Sequence, residues 1–152
     1  MQDFDPGPDE VFNMDSWSGY PLARQRLVDT LSARSQRNTV ILTGDVQSSW
    51  VGQLHQEAQN VKSPCLAAEF IGTSVSSGGE GVETSERSTG VLSANPQIRY
   101  FNGRRGYVRC EVSAKSWRTD YRPVGYVAKA GAPIQTKASF QIEPGRLTVE
   151  KA

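Results

Sequence analysis

Soft metal-ligating side chains are scarce in this sequence: 152 residues include one histidine, His55, and two cysteines, Cys65 and Cys110. The cysteines lie too far apart for a C-x-x-C redox or zinc motif, and two sulfurs cannot build a thiolate zinc site. Charge of one sign is also lacking. Seventeen basic against 16 acidic residues leave a net charge of +1, which excludes the overall field that draws a protein onto nucleic acid or an anionic membrane. No apolar run approaches membrane-spanning length, and the opening MQDFDPGPDEVF carries acids and prolines where a secretory signal has a basic and then an apolar segment. The expectation for the chain as written is one soluble domain, cytoplasmic for want of a signal, with no nucleic-acid partner and no membrane span.

Residues 1 to 19 read as an irregular lead-in, because Asp5-Pro6-Gly7-Pro8 denies the backbone helical geometry and donors. From Pro21 to about Gln36, Ala23, Leu27 and Leu31 recur every fourth residue beside Val28. That spacing predicts an amphipathic helix with a first-turn proline, covering one face of a sheet. Val40-Ile41-Leu42 is a short apolar run that suits a strand buried on both faces, and helix followed by buried strand is an α/β signature. A mixed loop region comes next, then mostly antiparallel strands from Gln97 to about Ile142. The commitment is α/β or α+β, one main helix plus a mostly antiparallel sheet, with the domain over 20–145 and a tail over 146–152.

The strand at Val40 runs into Thr43-Gly44-Asp45-Val46-Gln47-Ser48-Ser49-Trp50. A glycine and then an acid stand at the strand's C-terminal end, where open α/β sheets keep ligands. An ordinary polar turn has the same pattern. Other polar features also take two readings. Asn102-Gly103-Arg104-Arg105-Gly106 is a tight hairpin turn or a pair of arginines able to grip a phosphate. Thr73 to Gly81 is serine- and glycine-rich without the lysine of a Walker loop, and reads as a mobile loop near the site. His55, in Gln53-Leu54-His55-Gln56-Glu57, reads as a surface residue of a solvated helix or loop. Cys110 alternates with Val108 and Val112 and is expected as a packed core thiol; a Cys65–Cys110 disulfide stays open. Phe70, Trp50, Trp117 and Tyr121 are read as packing residues. In Trp117 to Arg122, Trp117, Thr119 and Tyr121 share one face and Arg118, Asp120 and Arg122 the other, where cross-strand charge pairing is expected.

Taken in order, MDSWSGYPLARQRLVDTL, NTVILTGDVQSSWVGQL, AAEFIGTSVSSGG, NPQIRYFNGRRGYVRCEVSAKSW and TKASFQIEPG closely resemble the C-terminal half of the alkaline phosphatase D, or PhoD-like, family, from about Asn13 to Gly145. The resemblance implies a calcineurin-like sandwich of two sheets with helices outside, of which this would be half. It further implies a metallophosphoesterase holding divalent or trivalent ions, calcium, iron or similar, that hydrolyses phosphate esters. Members are usually exported by the twin-arginine route. The block at Gly44 to Gln47 resembles the family's last metal-binding motif, Gly-Asp-Val-His. Asp45 matches its acid; Gln47 stands where the histidine would be, and Gln97 stands where relatives commonly have another. The family's earlier blocks, an aspartate-led strand, a Gly-Asp motif and an Asn-His motif, have no counterpart before Asn13. The expected site residues are therefore Asp45 and Gln47 for metal and Arg104 and Arg105 for phosphate. The chain is expected to be incomplete alone, binding metal weakly, and to self-associate through unpaired strand edges. The alternatives are a degenerate relative acting as a binding module and a truncation product.

Overall fold

The computed structural model describes Asp9, residues 11–34 and residues 38–152. The Asp5–Pro8 stretch and the helix end expected near Gln36 lie outside the described residues. A short 3-10 turn, Trp17–Gly19, leads into α1, Pro21–Ser32, which starts on Pro21 at its first position, where a missing N–H costs nothing. The helix closes at Ala33, whose N–H reaches the Asp29 carbonyl at 3.0 Å.

Strands β1 (Val40–Thr43), β2 (Ser49–His55), β3 (Cys65–Ile71) and β4 (Ile98–Asn102) form one sheet in the order β1-β3-β2-β4. Only β1 and β3 run parallel. A second helix, α2 (Glu86–Ala94), precedes β4. Strands β5 (Gly106–Val112), β6 (Trp117–Pro123), β7 (Ala138–Glu143) and β8 (Arg146–Lys151) form a second, wholly antiparallel sheet in sequence order.

The two sheets pack face to face. Val51, Ala68 and Phe70 of the first meet Tyr121, Ala138, Phe140, Ile142, Leu147 and Val149 of the second, alternate residues on each strand turning inward. On the other face of the first sheet, Val28 and Leu31 of α1 cover Leu66 and Ala67. The mixed α+β class and the largely antiparallel second half agree with the sequence reading. Tyr121 and Phe70 are core residues as expected, and Trp50 stacks on Phe101 at 4.5 Å between centroids.

Several expectations are corrected. Among the described residues a second, shorter α-helix, α2, accompanies the main helix, α1. α2 is short, carries Gly90 and is polar on most faces, so its periodicity is weak; its start is fixed by Ser85 and Ser88, whose side chains each bind the other's backbone N–H. The stretch read as a tail, 146–152, contains β8, and Leu147 and Val149 fill the core. β1 is not buried on both faces: it is a sheet edge, and Leu42 is 60% exposed. Ala23 of the expected apolar helix face is exposed as well. Cys110 is exposed and Val112 with it, because β5 is also an edge strand and its far end has no covering layer among the described residues. Cys65 and Cys110 form no disulfide. His55 ends β2, buried, with Nδ1 2.9 Å from the Ser63 carbonyl; the polar neighbours that suggested a solvated segment alternate across a strand.

Candidate site at the end of strand β1

The chain leaves β1 at Thr43, and the next residues turn sharply. The Val46 N–H donates to the Gly44 carbonyl at 2.9 Å, which puts Asp45 at the apex of a three-residue turn with φ of 71°. Gln47 is also left-handed, at φ 55°. Positive φ on two non-glycine residues so close together is uncommon and costs energy unless the surroundings enforce it. The result is that the Asp45 carboxylate stands exposed at the strand's C-terminal end, with no hydrogen-bond or ion-pair partner among the described residues.

Gln47 points elsewhere. Its Nε2 donates to Ser77 Oγ at 3.3 Å, so the amide faces the serine- and glycine-rich loop. Its backbone carbonyl accepts from the Arg105 guanidinium. The same guanidinium donates from Nε to the Gly79 carbonyl at 2.8 Å, and from its two terminal nitrogens to Ser74 Oγ at 3.2 Å and the Gly78 carbonyl at 3.4 Å. The Ser74–Gly79 loop therefore lies beside the Asp45 turn and is fastened there.

The arginine turn is not a hairpin. β4 and β5 belong to different sheets, so Gly103-Arg104-Arg105 carries the chain from one layer to the other. Strand-like residues on both sides gave the appearance of a pairing that does not exist. Backbone groups along the step bind neighbours on every side: Gly103 N–H to the Val82 carbonyl at 3.0 Å, Gly106 N–H to the Ser74 carbonyl at 3.1 Å, and the Arg105 carbonyl from the Val124 N–H at 2.8 Å. A Cβ on Gly106, at φ 155°, would sit 2.3 Å from the Arg122 carbonyl oxygen, so only glycine allows this approach. Arg104 lies nearer the surface, with Nη1 on the Gly125 carbonyl at 3.1 Å and Nε 3.8 Å from Glu83.

Gln97 is not brought to this site. It is buried just before β4, with Nε2 3.2 Å from Asn95 Oδ1, and its carbonyl accepts from the Gln53 N–H. β4 runs antiparallel to β2, and its other end, Asn102, lies opposite Ser49 beside the Asp45 turn. At about 3.4 Å per residue, Gln97 is most of a strand length away.

Glu69 was not singled out by sequence reasoning and lies one strand in from the mouth. Thr43 Oγ1 donates to its Oε1 at 2.7 Å. Burial raises its pKa, against the Thr43 hydrogen bond and the Arg24 charge. An acid inside the otherwise apolar run Leu66-Ala67-Ala68-Glu69-Phe70-Ile71 is the signal that could have found it.

The described residues contain no group of three or more histidine, cysteine, aspartate or glutamate side chains placed to hold an ion. No helix among them is long and apolar enough to cross a membrane.

Comparison with known proteins gives the family. Residues 1–121 match the family model described as PhoD-like phosphatase. Alkaline phosphatase D of Bacillus subtilis (strain 168) is 40% identical over 141 residues, covering 93% of this chain and 24% of that protein. A solved structure described as that of PhoD superposes with a TM-score of 0.95 at 38% identity, over all of this chain and 29% of the other. The chain thus spans about a quarter of the length of the curated relative it matches, and it belongs to the PhoD-like phosphatase family.

Proposed function

We propose that this chain is the C-terminal segment of a metal-dependent phosphatase acting on phosphate esters, and that it depends on polypeptide outside it for most of the metal ligands. The carrying observation is Asp45: a carboxylate at the end of β1, in a turn that costs conformational energy, with no partner among the described residues. A side chain kept in that state suits a ligand or substrate role. The two packed sheets with α1 outside fit the calcineurin-like sandwich that the resemblance implies. A divalent or trivalent metal held there mainly by ligands from outside this chain would supply an acidified water and charge stabilisation for a departing alkoxide; this chain would contribute the Asp45 oxygen donor and the frame that aims it. Phosphate contact falls to Arg104, whose side chain is 34% exposed.

The open edge of β1, with Leu42 exposed, is where added strands would pair, and without them the same edge favours self-association. A second reading, a degenerate relative that binds without turnover, draws on the Gln47 amide facing Ser77, away from a metal role.

The test is a graft. The chain replaces the matching 141 residues of the Bacillus enzyme, and chelator-sensitive hydrolysis of an aryl phosphate is measured with Asp45 intact and as Asp45→Ala. Activity that depends on Asp45 and rises with Gln47→His supports the reading. A folded graft whose activity ignores Asp45→Ala, or chelator-sensitive activity in the isolated chain, overturns it.

A further inference from the structure

We infer that Arg105 is a positioning residue, a latch whose guanidinium fastens the Asp45 turn to the Ser74–Gly79 loop so that the two move as one body. As a statement about catalysis this rests on the phosphatase reading above; as a statement about the chain it stands by itself.

The Asp45 turn has little support of its own. Internally it has the Val46-to-Gly44 hydrogen bond and a Ser48 Oγ contact to the Val46 carbonyl at 3.2 Å, against two left-handed residues. Its side chains from Leu42 to Gln47 are exposed, so packing does not fix it. From other elements come the Arg105 contact to the Gln47 carbonyl, the weaker Gln47 amide contact to Ser77, and at the turn's far end a bond from Trp50 Nε1 to Ser48 Oγ at 2.8 Å.

Arg105 is suited to enforce the turn because it is itself immobilised. It is 7% exposed, and its backbone is bonded to Val124 and flanked by a glycine that no other residue can replace. Its partners are carbonyl and hydroxyl oxygens of two separate loops, and among the described residues no carboxylate lies within ion-pair distance of it. A planar fork of five N–H groups spans two such loops, whereas a lysine ammonium is a single point on a flexible stem. A buried cation is costly unless its donors are satisfied, so the guanidinium holds the loops in place as much as they hold it. For Arg105 to grip a phosphate, these bonds would have to break.

The experiment measures backbone ¹⁵N order parameters on the full chain as parent, Arg105→Ala and Arg105→Lys. Residues 44–48 and 74–79 are expected to stay near the rigid value of about 0.85 in the parent and to fall together below about 0.6 in both variants, with β6 and β7 unchanged. Guanidinium ion added to Arg105→Ala should restore part of the order in both segments. Parent-like order in either loop of Arg105→Lys overturns the latch, as does loss of order spread evenly through β6 and β7. Should Arg105→Ala fail to fold, Arg105→Lys alone decides. In the graft, Arg105→Lys should lower kcat more than it raises KM. A graft inactive whatever stands at position 105 counts against the phosphatase reading, while unaltered loops count against the latch, so the two failures are distinguishable.

Discussion

The Tyr121 hydroxyl donates to the Trp50 backbone carbonyl at 2.5 Å, tying the second sheet to the first across the core. Both partners are shielded, and burial pushes the phenol pKa upward. The Tyr100 and Phe140 rings pack around it at 5.0 and 6.0 Å between centroids.

Tyr121→Phe keeps that packing and removes one buried hydrogen bond. The expected loss is about 1 to 2 kcal/mol, read as a lower urea midpoint at an unchanged m-value. A loss under a few tenths of a kcal/mol would show that the inter-sheet bond adds nothing beyond the ring.

Asp120 sits buried on β6 with three donors: Ser139 Oγ at 2.6 Å, Arg109 Nη2 at 2.5 Å and Arg118 Nε at 2.9 Å. Arg109 lies directly opposite on β5, the cross-strand pairing expected from sequence. Burial alone would raise the carboxyl pKa, but these donors outweigh it and bring it down to about 2 from 3.8. A folded pKa below the unfolded one means stability that is full above about pH 4 and fades as the pH falls toward 2. Asp120→Asn should therefore be less stable than the parent at pH 6, by about 1 to 2 kcal/mol because both arginines reach water. The gap should narrow between pH 4 and pH 2. A gap independent of pH would refute the ionic origin.

Glu69 has the opposite sign. Burial raises its pKa above the ordinary value, with the Thr43 hydrogen bond and the Arg24 charge opposing, so its ionised form is disfavoured in the fold and costs stability at neutral pH. Glu69→Gln retains an acceptor for Thr43 and should raise the thermal midpoint at pH 7. That advantage should disappear on acidification below the ordinary carboxylate range. Equal midpoints at pH 7 would contradict the burial cost.

Asp45 is held at φ 71° with its side chain exposed. Glycine adopts that backbone without penalty, so Asp45→Gly should stabilise the chain by about 0.5 kcal/mol in chemical denaturation while abolishing hydrolysis in the graft. Destabilisation instead would mean that the carboxylate supports the fold.

Much of this architecture was legible because periodicity carried it. α1 shows its four-residue spacing from Leu27 to Leu31, and β6 alternates Trp117, Thr119 and Tyr121 inward against Arg118, Asp120 and Arg122 outward. β2 and β3 were passed over as mixed loop. Small and polar residues, Gly52, Gln53, Ala67 and Ala68, interrupt both strands, and both faces of β3 are covered, so neither shows clean alternation. Asp45 was found because a glycine and an acid followed an apolar run. The role of Arg105 could not be found, since it depends on β4 and β5 lying in separate sheets and on a loop almost thirty residues earlier folding back over the guanidinium. Long-range placement of this kind leaves no local pattern.

The step from Asn102 to Gly106 couples the mouth of the molecule to its thickness. Sheet separation is set in the middle of the sandwich by residues such as Phe140 and Phe70, while Arg105 is carried on the strap between the layers. A core change that moves the layers apart by a fraction of an ångström would drag the strap, and with it the carbonyl of Gln47, out of register. Variants far from Asp45 would then disturb its aim without touching it, and volume at the centre of the core becomes a determinant of geometry at the rim.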